Sequence, residues 1–383
     1  MVGDGRGGQR HRYGSRRRGH DDQRHRHGGW WHGLRDHRSR GPPTRHAAGP
    51  GVARMSDSVV DRYTRQSILP EVGPAGQARF RAASVLVIGA GGLGSAVLQY
   101  LCAAGIGRLT IVDHDRVEVS NLHRQPIYRM SDVGNLKAEA AREALAGANP
   151  EVKIETVCER LTPTNVARLV ADADLVVDAA DSFAVTYVVS DECQRVNKPL
   201  ISASVLGLSG YVGAFCGGAP SYRAVFPEMP RQAGSCSTAG VLGTAVGVMG
   251  TLQAHMVLAL MLDLQPSVRG QLVTVDFKTL RFGGFSFAGA SEPVGAAIPF
   301  IATDQVESTD LVIDLRSLTE APVSPIAAAV RIDVDAVEKG AGERLPVAPR
   351  VVLCCRTGVR AWRAARALQR QGRSNVALIA FGE

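Results

Sequence analysis

An apolar β-branched run, Val85-Leu86-Val87-Ile88, breaks into Gly89-Ala90-Gly91-Gly92-Leu93-Gly94 and passes directly into a helical pattern. A strand that enters a helix through so tight a turn needs backbone free of Cβ atoms. The crossover it begins belongs to doubly wound α/β folds. The next apolar run, Leu109 to Val112, ends on Asp113, about twenty residues beyond the turn. Backbone N–H groups at the helix start can receive a phosphate, and a carboxylate at the following strand end can accept hydrogen bonds from a ribose. Taken alone, this pattern favours an NAD-dependent oxidoreductase of Rossmann type.

The alternation continues. Strands are predicted at 84–89, 109–113, 152–157, 175–180 and 200–204, with helices over 92–105, 135–147, 163–171 and 183–196. The fold class is therefore α/β, a Rossmann-like doubly wound sheet. Further runs at 210–215, 271–276 and 279–285 read as antiparallel strands, which makes the sheet mixed. Between them lies Ala239 to Leu262, apolar and long enough to span a bilayer. Gln253 and His255 interrupt it, so it reads as a buried helix whose glycines permit close packing, and no membrane association is expected. An Ala/Gly/Pro stretch over 288–303 reads as a linker, and residues 304–383 form a second, small α/β unit with strands at 311–316, 350–355 and 376–381 and a helix over 358–372.

Charge separates two further possibilities. The chain carries a formal +8, but residues 1–54 hold 13 Arg against 4 Asp, so the remaining 31 basic and 32 acidic residues nearly cancel. Segment 1–54 also holds seven of the ten His and almost no aliphatic residues, and it reads as a disordered basic tail, with Met55 as an alternative start. A nucleic-acid partner is not expected of the near-neutral body. Seven cysteines, an odd number, fit a reducing, cytoplasmic setting better than a disulfide framework.

Cations cluster around the glycine turn in the sequence. "RYTRQ" supplies Arg65, "VEVSNLHRQ" supplies Arg124, and Lys137 opens a helix. A dinucleotide has two phosphates, whereas a triphosphate attacked at its α-phosphorus needs charge neutralised along its length. Asp181, just past the strand "VVDAA", can hold Mg²⁺ against those phosphates. This combination favours ATP.

RYxRQ, GxGGLG, the Asp113 strand end, SNLxRQ, the VGxxK helix and the Asp181 turn, spread over about residues 61–285, resemble the ThiF-like adenylyltransferases. These are bacterial relatives of ubiquitin-activating enzymes. The closest resemblance is to the molybdopterin-synthase adenylyltransferases of molybdenum cofactor biosynthesis. The resemblance implies a domain over 55–287 that adenylylates the C-terminal Gly-Gly of a small ubiquitin-like sulfur-carrier protein. It implies that Gly89, Gly91, Gly92, Gly94, Asp115, Ser120, Leu122, His123 and Ser182 line the ATP site and that Asp113 binds ribose. It further implies that Asn121, Arg124 and Lys137 contact phosphates, Asp181 holds Mg²⁺, and Arg65 reaches the partner subunit of a homodimer. Activation of a small carboxylate or a tRNA base is the alternative within the same superfamily.

Close relatives carry two CxxC pairs for structural zinc; here "SYRAVF" (221–226) and "FGGFSFAG" stand in their place, so no zinc is expected. Tyr222, Phe226 and Phe285 are expected to pack where that clamp would sit. Cys236, in the polar segment "QAGSCSTAGV", matches the family's crossover-loop cysteine and is a candidate nucleophile. Cys102, Cys158, Cys193 and Cys216 read as small core residues.

In the second unit, Cys355 ends an apolar strand and is followed by Arg356, Thr357, Gly358, Val359 and Arg360 at the start of a helix. Such a loop can gather N–H groups around one sulfur anion. CRTGVR resembles the rhodanese (sulfurtransferase) active-site loop, and "LVIDLR" with Asp314 and Arg316 resembles the opening strand of that fold. The resemblance implies that Cys355 carries a persulfide received from a persulfide or thiosulfate donor, in a unit shorter than its relatives, with Cys354 structural. The pathway stays open between molybdopterin, thiamine, cysteine and tRNA thiolation.

Overall fold

Val85, Leu86 and Val87 have no exposed surface, as a parallel strand covered on both faces requires. They belong to β1 (Ser84–Ile88) of a computed structural model in which residues 62–230, 240–295, 297–340 and 345–382 are described. Segment 1–54 and Cys236 lie outside the described residues.

Beside β1 run β2 (Arg108–Val112), β3 (Lys153–Val157), β4 (Leu175–Asp178) and β5 (Pro199–Leu206), all parallel, and then β6 (Ser209–Cys216), β7 (Gln271–Asp276) and β8 (Arg281–Ser286), all antiparallel. The order is β3-β2-β1-β4-β5-β6-β7-β8. The chain thus winds outward from β1 to β3 and returns at β4. The crevice at the C-terminal ends of β1 and β4 is where doubly wound sheets bind ligands.

The helices are α1 (Thr64–Ser67), α2 (Gly73–Ala82), α3 (Gly92–Ala104), α4 (Lys137–Ala148), α5 (Val166–Ala171), α6 (Phe183–Arg195), α7 (Tyr222–Val225) and α8 (Gly243–Leu262). Helix α5 begins three residues later than the sequence predicts. Asn165 Oδ1 accepts from the Thr162 N–H at 2.8 Å and holds that stretch as a turn. The long apolar α8 packs on α3, β5 and β6 with half of its residues buried. Gln253, which interrupts its apolar run, is fully buried and donates to the Asp178 and Ile201 carbonyls at 2.8 and 3.4 Å.

A second parallel sheet has the order β10-β9-β11-β12, with β9 (Leu311–Asp314), β10 (Val330–Arg331), β11 (Val351–Cys355) and β12 (Val376–Ala380). Helices α9 (Val334–Glu338) and α10 (Val359–Arg370) cover it. The stretch over 288–303 is pinned rather than loose. Glu292 accepts from Ser221 N–H and Oγ–H at 2.7 and 2.6 Å, Ile298 and Phe300 are buried, and Phe300 bridges to Leu378.

One hydrophobic cluster runs through both sheets, from Leu86 and Tyr187 to Leu353, Trp362 and Leu378. Its aromatic seam stacks Phe215 on Phe287 (centroids 4.9 Å), Tyr222 on Phe226 (4.6 Å) and Tyr187 against Trp362 (5.6 Å). Arg223 lies 4.7 Å over the Tyr187 ring while holding Asp191 through two bonds of 2.6 and 2.8 Å. Tyr222 and Phe226 pack as the sequence suggests. Phe285 does not: on edge strand β8 it is half-exposed, and Phe287 takes the inner place.

The α3–α8 contact generates a paired expectation. A Cβ at Gly250 would lie 2.5 Å from the Leu93 carbonyl oxygen, while one at Gly247 meets nothing. Gly250→Ala should lower the urea midpoint by the equivalent of about 1–3 kcal/mol. Gly247→Ala should raise it by up to about 1 kcal/mol. Midpoints moving in the same direction would contradict this packing.

Candidate active site

The glycine turn is shaped by what it touches. Gly89 has φ +93°, and a Cβ there would lie 2.8 Å from the Ala179 carbonyl oxygen at the end of β4. At Gly94 a Cβ would come within 2.0 Å of the Gly89 carbonyl oxygen, so no other residue allows α3 to start this close to β1. Asp113, buried at the end of β2, accepts from the Ala90 N–H at 2.7 Å and the Asp115 N–H at 2.8 Å. The Tyr128 hydroxyl donates to the Ala90 carbonyl at 2.7 Å. The peptide of Ala90 is therefore held from both sides. Burial pushes the Asp113 carboxyl above its ordinary range, against the Lys137 charge and the two N–H groups. Buried Gln125 sits beside Gly91, and its Oε1 has no hydrogen-bond partner.

Lys137 is the first residue of α4, and its almost buried Nζ donates to Asp115 Oδ2 at 2.9 Å. Burial pushes the Asp115 carboxyl up, but the Lys137 bond and charge outweigh it and hold the group below the usual range. The sequence set SNLHR folds as a tight turn on which buried Asn121 accepts from the Glu118 N–H at 3.2 Å and Ser120 donates to Glu118 at 3.0 Å. Arg124 donates to the Ser120 carbonyl at 3.0 Å, with His123 Nδ1 also 3.0 Å from that oxygen and Leu122 half-buried. A Cβ on Gly92 would lie 3.7 Å from Arg124 Cγ, which places that side chain beside the first turn of α3. Asp113, His114 and Asp115 form the one group of clustered metal-competent atoms among the described residues.

Asp181 is exposed between β4 and α6, and Ser182 stands at the N-cap position of α6 without a side-chain cap bond. Four residues near this site escaped the sequence reading: Gln125, Tyr128, Arg160 and Asp178. The strand end "LVVD" was the available signal for Asp178. Arg65 lies away from the glycine turn. It is exposed on α1, whose neighbour Gln66 donates to the carbonyl of Ala104, the last residue of α3. The glycine turn lies at the other end of that helix, about 20 Å away. Arg65 therefore does not join the nucleotide end of its own chain.

Cys355 ends β11 with no exposure, and its Sγ accepts from the Gly358 N–H at 3.1 Å and the Ala361 N–H at 3.4 Å. Gly358 makes this possible at φ +86°, where a Cβ would press on the Phe300 ring at 2.9 Å. Arg360 spans to Glu320 at 2.7 Å and to the Leu315 carbonyl at 3.1 Å. Thr357 is half-buried, Arg356 is exposed and Val359 is buried. Cys354 points into the other layer, donates to the Ile313 carbonyl at 3.4 Å, and is pushed up to about 12 by burial. Cys102 and Cys216 are likewise pushed by burial up to about 11 and about 12, and buried Cys193 rises for the same reason. Cys158 is only half-buried but packs against the core, with Sγ 3.8 Å from Glu139 Oε1.

A turn held by a strand-end Asp, flanked by an N-terminal helix lysine and an SNLxR turn, has a counterpart among known sequences. The ThiF family profile matches residues 63–293. The chain belongs to the ThiF family. It is accordingly an enzyme, a ThiF-like adenylyltransferase with an E1-like Rossmann-type domain. It is 44% identical over 231 residues to the sulfur carrier protein adenylyltransferase of Thermus thermophilus, an alignment spanning 58% of this chain and 85% of that relative. It is 42% identical over 230 residues to the adenylyltransferase and sulfurtransferase MOCS3 of Sus scrofa, spanning 59% of this chain and about half (50%) of that relative. Among solved structures, E. coli MccB with ATP shares the fold at TM-score 0.54 and 22% identity, over 62% of this chain and 74% of MccB. The ThiF match stops at residue 293, before the second sheet and Cys355.

Asp178 gives this site a pH signature. Fully buried, it is pushed up to about 6, by burial first, against bonds from Thr186, Ser202 and the Ala180 N–H. An acid raised in the folded state keeps a proton that the unfolded chain has lost, so its contribution falls as pH rises from about 4 to about 6. Relative to Asp178→Asn, the native chain should lose about 3 kcal/mol of stability across that window, read from urea midpoints. A difference that stays flat with pH would show that Asp178 ionises normally.

Proposed function

We propose that this ThiF-family chain uses ATP and Mg²⁺ to adenylylate the C-terminal glycine of a small ubiquitin-like sulfur-carrier protein ending in Gly-Gly, and then loads sulfur from Cys355 onto it. One observation carries this reading: Lys137 and Arg124 flank the glycine turn in the same compact unit that holds a thiol enclosed by N–H groups.

Asp113 anchors the turn and keeps further lone pairs for a ribose. The N–H groups at Gly91, Gly92 and Gly94, with Asn121, Arg124 and Lys137, neutralise the phosphates. Unpartnered Gln125 Oε1 offers an acceptor at the same turn. Asp181 and Asp115 supply hard carboxylate oxygens of the kind Mg²⁺ prefers. The carrier carboxylate attacks the α-phosphorus and pyrophosphate leaves. Such a displacement asks the protein for positioning and charge, not for a strong base.

The Cys355 thiolate takes a sulfane sulfur from thiosulfate and releases sulfite. The terminal sulfur of the resulting persulfide then attacks the acyl carbon, forms a C–S bond and expels AMP. A second thiol attacks the Cys355 sulfur of the acyl disulfide, and the carrier thiocarboxylate leaves with the electron pair of the broken S–S bond. The new disulfide is reduced by an external thiol. Cys236 is our candidate for the second thiol, and Arg65 for a contribution to the nucleotide site of a partner copy in a cytoplasmic homodimer. We expect no structural zinc, because aromatic packing fills the region around Tyr222.

ATP–pyrophosphate exchange that depends on a Gly-Gly carrier tests the first half, and Lys137→Ala should reduce it about 100-fold. No exchange with any Gly-Gly carrier would overturn the reading. Cys355→Ser should retain exchange and yield no thiocarboxylate.

A further inference from the structure

The two candidate centres meet at one side chain. Arg160, just after β3, is half-buried, and its Nη1 donates to the Phe381 carbonyl. That carbonyl belongs to a strand end fastened to the sulfur loop, since Phe381 N–H donates to the Cys355 carbonyl at 3.0 Å and Gly382 N–H to the Arg356 carbonyl at 2.8 Å. The Phe381 ring lies 4.2 Å beneath the Arg316 guanidinium, itself bonded to buried Asp314 at 2.8 Å. The same Arg160 guanidinium is within electrostatic reach of Asp115 and Asp181, the carboxylates of the nucleotide end.

Both sides of the link are fixed. Asn165 Nδ2 donates to the Arg160 carbonyl at 2.9 Å, and its Oδ1 holds Thr162. Gly382 has φ +84°, and a Cβ there would lie 1.6 Å from Arg160 Nη1, so the arginine occupies the space that any larger residue would need. A pocket of about 340 Å³ opens beside the link, lined by Arg160 and Ser182 from the first sheet's side and by Phe300 and Phe381 from the second.

We propose that Arg160 is a positioning residue that sets the Cys355 loop against the nucleotide end, so that an adenylylated carrier tail can pass from AMP to sulfur without leaving the protein. This rests on the function proposed above. Neither half-reaction uses Arg160 directly: adenylylation needs the phosphate-end cations, and sulfur uptake needs the N–H groups around Cys355. Their coupling does depend on it, because acyl transfer between two bound groups is sensitive to displacements of about 1 Å.

The test measures three rates on the full chain: carrier-dependent pyrophosphate exchange, thiosulfate-to-cyanide sulfur transfer, and single-turnover thiocarboxylate formation from persulfidated enzyme. Arg160→Ala and Gly382→Ala should leave the first two within about threefold of the native chain and slow the third by about 30-fold or more. Arg160→Lys, which can still donate to the Phe381 carbonyl, should recover most of that loss. An unchanged third rate in both variants overturns the proposal, and so does a fall in either half-reaction that matches the fall in the third. Native chain lacking exchange with every carrier overturns the adenylylation reading and this proposal together, whereas loss of coupling in Arg160→Lys equal to that in Arg160→Ala counts against Arg160 alone.

Discussion

The approach of α3 to β1 is the constraint on which the nucleotide end depends. The Gly94 backbone passes so near the Gly89 carbonyl that a single methyl group would not fit. Only at that spacing does the Ala90 N–H reach Asp113, and only then does β2 deliver its carboxylate to the turn. Asp115, two residues on, is thereby brought to Lys137 on a different helix. A steric allowance at one position is thus passed through a hydrogen bond into the placement of a charge.

The second dependence is the aromatic seam. The ThiF part ends its sheet in antiparallel strands whose inner face is rich in rings, and the second sheet rests Trp362 and Phe300 on that side. Trp362 donates to Glu228 at 3.0 Å, and Arg366 on the same helix pairs with Glu228 as well. The helix that begins beside Cys355 is therefore fastened to the ThiF part by both apolar and charged contacts. A sheet of four short strands has little core of its own, and here it borrows one.

Much of this was legible in the residues. Continuous β-branched runs and period-3.6 patterns placed the strands and long helices to within a few positions, because central parallel strands and covering helices are decided by local burial. The glycine turn, Asp113, Lys137 and the Cys355 loop were legible because each sits at an element boundary, where backbone chemistry restricts residue choice. Less legible were residues whose roles come from distant partners. Phe287 displaced Phe285 because β8 is an edge strand, a fact of sheet order that no window of sequence contains. Arg160 looks like any arginine after a strand until Phe381, 221 residues later, supplies the acceptor.

A continuous core has a thermodynamic corollary. Where two sheets share buried side chains, neither can open far without exposing the other's apolar surface, so they tend to melt together. Any ligand that binds the folded state then adds its saturation free energy to the entire unit, including parts it never touches. Occupancy at the glycine turn would in this way suppress local opening around an enclosed cysteine at the far side of the seam. An enclosed thiol is in this way protected by binding energy supplied at a distant turn.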